Sequence, residues 1–403
     1  MFKSLSLKVI LFGFIFTFFS SFGQSYFIGI FNYSIRTDLS ISHGQFGTIY
    51  ASATLVSSLI LMWVGKKIDD MDTFKFSIFV TILLSIACYF FSTIKIIPLL
   101  FVGIFLLRLS GQGLMSHTAT TTVSRYFEKT RGKALSITWL GLSAAEFILP
   151  VLMVFLLTIT SWRNIWFFIS ILVLIFLPIT SFLLIKKLKL HSRETSVEDK
   201  KIAESNIKQW KRSEVLKDYR FYIISLNMLS MPSIATGVFV YQSFIVSSKN
   251  WGPFIMAQSF MVYSILSVIT LFLSGFLIDK YTSRKLLIYM NIPLFLSAII
   301  LFTFDSPITS FVFLGLIGIT NGFANVLGSS TWAEIYGVKY IGAIKALTSG
   351  LMVFATATGT AVFGILIDAG YTINSIAIFS SVYVAIIVLL LFFIRKKIEP
   401  IYI

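Results

Sequence analysis

Residues 164–185 read NIWFFISILVLIFLPITSFLLI, a stretch without a single charged side chain. One helix needs about 20 apolar residues to cross the hydrocarbon of a bilayer. Similar runs lie near residues 9–31, 46–64, 75–94, 98–123, 132–157, 219–246, 253–278, 285–304, 308–332, 342–367 and 373–394. The pattern predicts an all-α membrane protein with twelve transmembrane helices, because a β-barrel would show short alternating segments instead.

The composition agrees with a chain that is almost wholly embedded. Of its 403 residues, 57% are hydrophobic and 12% are charged, whereas soluble domains carry about a quarter charged residues. The net charge of +16 does not indicate a nucleic-acid partner, because the charges lie in short loops between apolar runs. The single cysteine, Cys88, excludes an intramolecular disulfide.

The distribution of basic residues predicts the orientation. If the N-terminus is cytoplasmic, most of the 33 Lys and Arg residues fall on the inner side, and only Arg36, Lys95, Arg163 and Lys249 fall on the outer side. Cytoplasmic loops of membrane proteins carry such an excess of positive charge. We therefore expect a multi-pass protein of the cell inner (plasma) membrane with both termini cytoplasmic and the lipid bilayer as its surroundings.

One long polar segment divides the chain. It predicts an N-terminal six-helix bundle over 1–186, a cytoplasmic linker over 187–218 and a C-terminal six-helix bundle over 219–403. Short motifs support an internal repeat, since Asp279 follows Asp69 at the same distance as Gly342 follows Gly132. Two pseudo-symmetric bundles follow, and parallel six-helix repeats build one large class of transporters.

The repeated loop carries a family resemblance. Its second copy, Gly275-x-x-x-Asp279-Lys280-x-x-x-Arg284-Lys285, resembles the loop signature of the major facilitator superfamily. The first copy departs from that signature, with Asp70 where a base is usual and Asp72 where a small residue is usual. Arg108-Leu-Ser-Gly-Gln-Gly113 resembles the fourth-helix motif of the superfamily. The resemblance implies a transporter that works by alternating access.

A second resemblance narrows the substrate. The stretch from Arg125 through Gly141 and Pro150 to Ser161-Trp162-Arg163 is similar to the monocarboxylate and oxalate/formate porter branch. It implies a small organic anion, with proton coupling or anion exchange. That branch usually places a cation deep in the eighth helix, and residues 253–278 contain no Lys, Arg or His.

Two charges inside the runs are candidates for proton coupling. A charge at mid-bilayer costs at least about 2.5 kcal/mol, so it is kept only when paired or facing water. Arg108 and Glu146 lie at matching depths on consecutive antiparallel helices, by the helical rise per residue. They predict either a switchable pair or a permanent ion pair that fixes helix packing. His117, which would face away from Arg108, is predicted to be a hydrogen-bonded packing residue.

Uncharged polar residues cluster at similar depth in the first, seventh and tenth runs. In the superfamily, helices 1, 4, 7 and 10 line the central cavity. The predicted substrate-binding residues are Gln24, Arg108, Tyr241, Gln242, Asn321 and Asn325. Hydrogen bonding between helices would use the same residue types.

The repeated loops predict a gate. The N-termini of the fifth and eleventh helices are expected at the cytoplasmic side, where their unpaired N–H groups attract carboxylates. Asp279 would dock near Gly132, and Asp69 near Gly342; solvated loop acids are the alternative. The predicted gating residues are Gly65, Asp69, Arg131, Gly132, Gly275, Asp279 and Arg284.

Absent motifs limit the chemistry. The sequence has no G-x-x-x-x-G-K-[ST] phosphate loop, no H-E-x-x-H pair and no G-x-S-x-G elbow, so no ATP motor, enzyme activity, cofactor or metal site is predicted. We predict a monomeric secondary transporter whose partners are a small organic anion and, for coupling, H⁺. Efflux of amphiphilic or drug-like compounds is the alternative, and a membrane-embedded enzyme or sensor is the alternative of a different class.

Overall fold

The structure, a computed structural model, describes residues 4–127, 130–186 and 207–402, and gives no side-chain position for Ser4, Leu5, Arg131 or Ser329. The chain is helical almost throughout these ranges. The helices are α1 (Ser4–Phe19), α2 (Ser25–Ile30), α3 (Asn32–Leu39), α4 (His43–Asp70), α5 (Thr73–Ser92), α6 (Ile97–Leu107), α7 (Ser116–Tyr126), α8 (Arg131–Ile159), α9 (Trp162–Ile185), α10 (Arg212–Val215), α11 (Tyr219–Val240), α12 (Gln242–Ser248), α13 (Pro253–Tyr281), α14 (Ser283–Met290), α15 (Ile292–Thr303), α16 (Ile308–Tyr336), α17 (Ile341–Asp368) and α18 (Ile373–Ile394).

Twelve helical segments within the described ranges are long and apolar enough to cross a membrane. This confirms the predicted class and the predicted number of transmembrane helices. Several crossings join two of the helices above, as when Ile97–Tyr126 joins α6 to α7 and Ser283–Thr303 joins α14 to α15.

Large apolar side chains lie exposed along these crossings. Trp63 is 79% exposed, Phe276 is 74% exposed and Phe393 is 76% exposed. Contiguous apolar exposure on this scale marks a membrane or partner surface in a folded protein. Together with the twelve apolar segments, this exposure is consistent with a multi-pass membrane protein.

The chain divides into two compact units. Unit 1 contains Met1–Glu194 together with Phe239–Ser243 and Thr360–Asp368. Unit 2 contains Thr195–Val238, Phe244–Gly359 and Ala369–Ile403. The predicted linker over 187–218 lies mostly outside the described residues, so its boundaries stay a prediction.

The same packing recurs in each unit. In unit 1, α5 packs extensively along α9, and α4 packs against α6; in unit 2, α15 packs along α18, and α13 packs along α16. These are corresponding helices of the two predicted six-helix halves. The internal repeat that the loops indicated is thus present in the packing of each unit.

Helices of unit 1 approach each other closely at glycines. A Cβ atom added to Gly141 of α8 would overlap the Phe14 carbonyl of α1, and one added to Gly13 would overlap Val123 and Thr138. Small residues allow such close backbone contact in membranes, where van der Waals packing replaces the hydrophobic effect between helices. These glycines hold α1 against α7 and α8.

Four predicted runs are interrupted rather than continuous. The first run, 9–31, divides at Ser20–Gln24, and the fourth contains a π-helix at Arg108–Met115. The seventh divides at Tyr241 and the ninth at Asn291, two residues before Pro293. Hydropathy records only whether a residue is apolar, so it cannot distinguish a broken helix from a straight one.

A carboxylate ties the last turn of α3 to the start of α9. Asp38 accepts hydrogen bonds from the Trp162 indole N–H at 2.7 Å and from Arg163, which also donates to the Ile94 carbonyl at 2.8 Å. Unit 2 has a similar tie, in which Lys249 binds Asp305 at 2.5 Å and donates to the Phe304 carbonyl at 3.2 Å. Each unit therefore carries a cation that binds one acid and one helix-end carbonyl.

We expect the Asp38 tie to make the stability of unit 1 depend on pH. The hydrogen bond from Trp162, helped by Arg163, holds the pKa of Asp38 below its ordinary value. A depressed carboxylate pKa stabilises the fold above the unfolded value of about 3.9 and loses that contribution as the pH falls through the folded value. Asp38→Asn should therefore lower the thermal unfolding midpoint at pH 6.

The measurement compares thermal unfolding in detergent between wild type and Asp38→Asn from pH 6 to pH 3. The difference between the two midpoints should shrink toward zero at the acidic end, because wild type then also carries an uncharged side chain. A difference that stays constant over this range would contradict the assignment.

Candidate functional site

The first crossing of unit 1 is broken in the middle. After α1 the chain forms a short 3₁₀ turn at Ser20–Gly23, becomes extended at Gln24 (φ −81°, ψ 152°) and resumes as α2. Irregular backbone at membrane depth is tolerated only where protein or a water-filled cavity surrounds it. The break is therefore a candidate for function.

A second irregularity faces the first. Arg108–Met115 is π-helical between α6 and α7, and π segments inside helices are frequent at functional sites. A Cβ added to Gly111 would come within 2.6 Å of the Gly23 nitrogen, and one added to Gly23 would overlap the Leu107 carbonyl and the Gln112 nitrogen. The two irregular segments touch through backbone that only glycine permits.

Arg108 spans this contact. Its side chain is buried, with 3% of the residue exposed, and Nη1 donates to the Gly23 carbonyl at 3.1 Å and to Ser25 Oγ at 3.2 Å. Tyr50 donates to the same Ser25 oxygen at 2.9 Å, and its ring centroid lies 5.3 Å from the guanidinium carbon. We call Gly23, Ser25, Tyr50 and Arg108 the Arg108 site.

The Arg108 site leaves the guanidinium without a counter-ion. Among the residues described, no carboxylate oxygen lies within 4.0 Å of Arg108. Its Nε–H, which is also buried, has no hydrogen-bond partner within the described part of the chain. The two acceptors of the guanidinium are uncharged, so they stabilise its positive charge through hydrogen bonds but do not neutralise it.

The predicted pair of Arg108 with Glu146 is not formed in this structure. Glu146 is buried in α8, with 7% exposed, and forms no ion pair with any described residue. It lies close enough to Tyr26 for the two side chains to interact electrostatically. Matching depth on neighbouring helices fixes the height of two side chains but not their direction. Arg108 points to the break in the first crossing instead.

The other predicted binding residues of unit 1 have varied surroundings. Gln24 forms the extended residue of the break and is partly exposed. Tyr241 is buried and donates to the His43 carbonyl at 2.9 Å, and buried Gln242 donates to the carbonyls of Tyr26 and Phe239. The hydrogen bonds of Tyr241 and Gln242 thus hold the Phe239–Ser243 segment within unit 1.

Unit 2 contains a cavity of about 130 Å³ that holds the two predicted asparagines. Asn325 is exposed, while Asn321 donates to Ser267 Oγ at 2.8 Å. We call this the unit 2 cavity; its lining residues are Ser225, Met228, Leu229, Met231, Pro232, Asn321, Ala324, Asn325, Gly328, Trp332, Thr348, Leu351 and Met352. None of these is charged, so the cavity suits an uncharged or amphiphilic molecule.

Two of the predicted gating residues of unit 1, Gly65 and Asp69, lie near the end of α4, and the other two, Arg131 and Gly132, lie at the start of α8. Asp69 binds Arg125 of α7 at 2.5 Å, and Arg125 also donates to the Ile68 carbonyl at 3.0 Å. The Gly65 carbonyl lies 3.1 Å from His117 Nε2, as expected for a packing histidine. Gly132 has open space around it, and the side chain of Arg131 lies outside the described residues.

The corresponding loop of unit 2 has the opposite charge arrangement. Arg284 binds Glu334 of α16 at 3.1 Å and also binds Glu399, while Glu334 accepts from the Ser283 backbone N–H at 2.9 Å. Asp279 is exposed, and Gly275 has open space around it. In unit 1 a base on the neighbouring helix thus holds the acid of the repeated motif, and in unit 2 an acid on the neighbouring helix holds the base of that motif.

Sequence reasoning missed one cluster, formed by Asp368 at the end of α17 and the start of α4. Asp368 accepts from the backbone N–H groups of His43 at 3.0 Å and Gly44 at 2.8 Å, and from Ser42 Oγ at 2.5 Å. This is a carboxylate on a helix N-terminus, the interaction predicted for the gate but at another helix. The available signal was Ser42 with Gln45, a capping box that marks the N-terminus of α4.

Comparisons with solved structures show which fold these sites belong to. The chain is similar to a bacterial homologue of the human lysosomal transporter Spinster, with a TM-score of 0.72 and 13% identity over 99% of this chain and 98% of that chain. It is also similar to the nucleoside transporter NupG, with a TM-score of 0.70 and 15% identity over 98% of this chain and 99% of that chain. At these identities the likeness shows the fold alone.

Comparison with known sequences identifies the family but not the branch. No curated protein matches the chain, and the resemblance to the monocarboxylate and oxalate/formate porters stays a prediction. The family model described as Major Facilitator Superfamily matches residues 13–344, which is well over half of the chain. The protein, with its twelve membrane-crossing helices, therefore belongs to the Major Facilitator Superfamily.

Proposed function

We propose that this transporter moves a small organic anion, such as a monocarboxylate, across the inner membrane by alternating access and couples the movement to a proton. The observation that carries the proposal is the buried guanidinium of Arg108, which has no carboxylate within 4.0 Å among the described residues.

An unneutralised charge inside a membrane-crossing helix is costly. The cost is about 2.5–3.5 kcal/mol at the helix centre on translocon-based scales and larger in other estimates. A substrate carboxylate would supply the missing negative charge and would accept two hydrogen bonds from one guanidinium. The free Nε–H of Arg108 is a donor for such an anion.

The broken helix supports the same proposal. Broken helices form the substrate sites of several transporter folds, because unwound backbone offers polar groups at the midplane. The Gly23 carbonyl and the Ser25 hydroxyl accept hydrogen bonds from Nη1 of Arg108, and both are uncharged and therefore weak competitors for an anion. A purely structural role, in which Arg108 only stabilises the break, is the alternative that experiment must separate.

Glu146 is the residue that we propose to carry the proton. It is buried in an apolar helix and has no cation partner among the described residues. A carboxyl in such surroundings avoids the cost of a buried charge by binding a proton. Loss of that proton to one side of the membrane would link transport to the pH gradient.

The repeated loops are proposed to gate access. We propose that Asp69, released from Arg125, and the exposed Asp279 dock on helix N-termini when the inner side closes, as the superfamily signature implies. The roles of Gly65, Gly132, Gly275 and Arg131 in that gate rest on the resemblance alone. Ion pairs with Glu334 and Glu399 would hold the side chain of Arg284 in position for its part in the gate.

The unit 2 cavity favours a second candidate substrate class. Its walls combine two amides with methionines, leucines and Trp332 and contain no charge. Such a lining suits neutral or amphiphilic solutes, including nucleosides, which the similar NupG is named for transporting, and drug-like compounds that are exported. Methionine side chains adapt to irregular ligands, which supports a broad range.

Arg108→Gln should abolish saturable uptake of labelled monocarboxylates into proteoliposomes or raise the half-saturating concentration at least about 30-fold. Removing one partner of a buried charge pair typically costs about 2–5 kcal/mol, and 1.4 kcal/mol corresponds to a factor of ten. Lys95→Gln, which removes an exposed cation of unit 1, is the matched control and should transport like wild type.

A thermal shift separates substrate binding from a structural role of Arg108. The transported carboxylate should raise the unfolding midpoint of wild type and of Lys95→Gln but not that of Arg108→Gln. If the carboxylate stabilises all three proteins equally, Arg108 does not bind it.

Glu146→Gln should keep substrate exchange but lose stimulation of uptake by an inward proton gradient. Exchange across the membrane needs no net proton movement, whereas gradient-driven uptake needs a group that releases the proton. Both activities are measured in the same proteoliposomes, so exchange is the internal control. Full gradient stimulation in this variant would exclude Glu146 as the coupling residue.

The second candidate makes a separate prediction at Asn325. If neutral solutes are the substrates, wild type should take up a labelled nucleoside and no carboxylate, and Asn325→Ala should raise the half-saturating nucleoside concentration roughly 5- to 10-fold through loss of a hydrogen bond of about 1 kcal/mol. Asn164→Ala, at an exposed helix end of unit 1, is the control. Carboxylate uptake with no nucleoside uptake would remove this candidate.

A further inference from the structure

We propose that a basic cavity of unit 2, on the side predicted to face the cytoplasm, binds the phosphate-bearing headgroup of an anionic membrane lipid. This inference does not depend on the transported substrate. The cavity has a volume of about 620 Å³ and lies between the end of α13, the start of α14 and the segment that follows α18.

Most of the positive charge in this cavity has no neutralising carboxylate among the described residues. Lys285, Arg395 and Lys396 line it, are exposed, and form no ion pair with any described carboxylate. The one acid in the lining, Glu399, is bound to Arg284, which also binds Glu334. Three free cations therefore surround one concave space.

One of these cations is also held in place. The guanidinium carbon of Arg395 lies 3.7 Å from the ring centroid of Phe392, a cation–π contact that restricts the side chain. Basic residues that only set the orientation of the protein in the membrane need neither to line a cavity nor to have a restrained side chain. The arrangement is therefore that of a binding site rather than a solvated patch.

The remaining lining of the cavity indicates that the anion carries acyl chains. Leu277 and Ile288 form part of the wall, together with the exposed Tyr281 and Tyr289. Tyrosine is common at membrane interfaces. The neighbouring Phe276 and Phe393 are 74% and 76% exposed. An apolar surface thus continues from the basic cavity along the lipid-facing sides of α13 and α18.

A phospholipid fits both parts of this surface, whereas a free phosphate fits only the first. Basic pockets between helices on the cytoplasmic side recognise anionic headgroups such as those of phosphatidylglycerol or cardiolipin. The headgroup would lie among Lys285, Arg395 and Lys396, and its chains would lie along Phe276 and Phe393. The ligand class is therefore an anionic phospholipid.

The test uses the full chain purified in a neutral detergent and titrated with short-chain phosphatidylglycerol, short-chain phosphatidylcholine or inorganic phosphate. Binding is measured by native mass spectrometry and by the shift of the unfolding midpoint. The variant is Lys285→Gln/Arg395→Gln/Lys396→Gln. The control, Lys66→Gln/Lys67→Gln/Lys75→Gln, removes three exposed cations predicted on the same side but in unit 1.

Wild type and the control should bind phosphatidylglycerol more tightly than phosphatidylcholine, and the basic-cavity variant should lose roughly 100-fold in phosphatidylglycerol affinity, from about a factor of five per cation. An unchanged lipid preference in that variant, or an equal loss in the control, would overturn the proposal. So would equal stabilisation by inorganic phosphate, which would assign the cavity to a free anion.

Discussion

The constraint on which this structure depends is that hydrocarbon offers no hydrogen bonds to an open peptide group. The backbone N–H and C=O groups of the twelve crossings must therefore form hydrogen bonds within their own helix. Where a helix is interrupted, other parts of the chain must supply the missing hydrogen bonds. The break at Ser20–Gln24 meets this demand through the buried guanidinium of Arg108 and through backbone contact at Gly23 and Gly111. The π-helical segment opposite the break belongs to the same arrangement, since both segments depart from regular helix where they touch.

Carboxylates satisfy the other exposed groups, those at helix N-termini. Asp368 binds the first N–H groups of α4, Glu334 binds those of α14, and Asp72 caps α5 from within its own loop. The two units place the acid of the motif differently. In unit 1 the acid belongs to the repeated motif and binds Arg125 of the neighbouring helix, and in unit 2 the acid belongs to the neighbouring helix and binds Arg284 of the motif.

The sequence predicted the features that depend on contact with lipid, such as the number of crossings. It did not predict the directions in which individual side chains point. Twelve apolar runs become twelve crossings because burial in lipid depends only on apolar length. The repeat was readable because equal spacing of loop motifs survives substitution of everything between them. By contrast, the direction of Arg108 depends on the break at Ser20–Gln24 between α1 and α2. A single glycine in an apolar run does not by itself locate such a break, because helices tolerate isolated glycines. Tyr241 and Gln242 look like cavity residues by type, yet their hydrogen bonds to His43 and Tyr26 are visible only once distant segments are placed.

The π-helix at Arg108–Met115 changes how mutational data along the fourth crossing should be interpreted. A π turn contains more residues than an α turn. The side chains of α7 therefore point in directions that are rotated from those expected if the α-helical geometry of α6 continued. A helical wheel drawn through Ile97–Tyr126 at constant pitch, like the one that placed His117 opposite Arg108, assigns faces wrongly in one half. Cysteine-scanning accessibility, which suits a chain whose one cysteine, Cys88, is buried, would show one periodic phase before Leu107 and a shifted phase after Ser116. The two phases meet at the residues that touch the broken helix, so the phase change itself locates the Arg108 site.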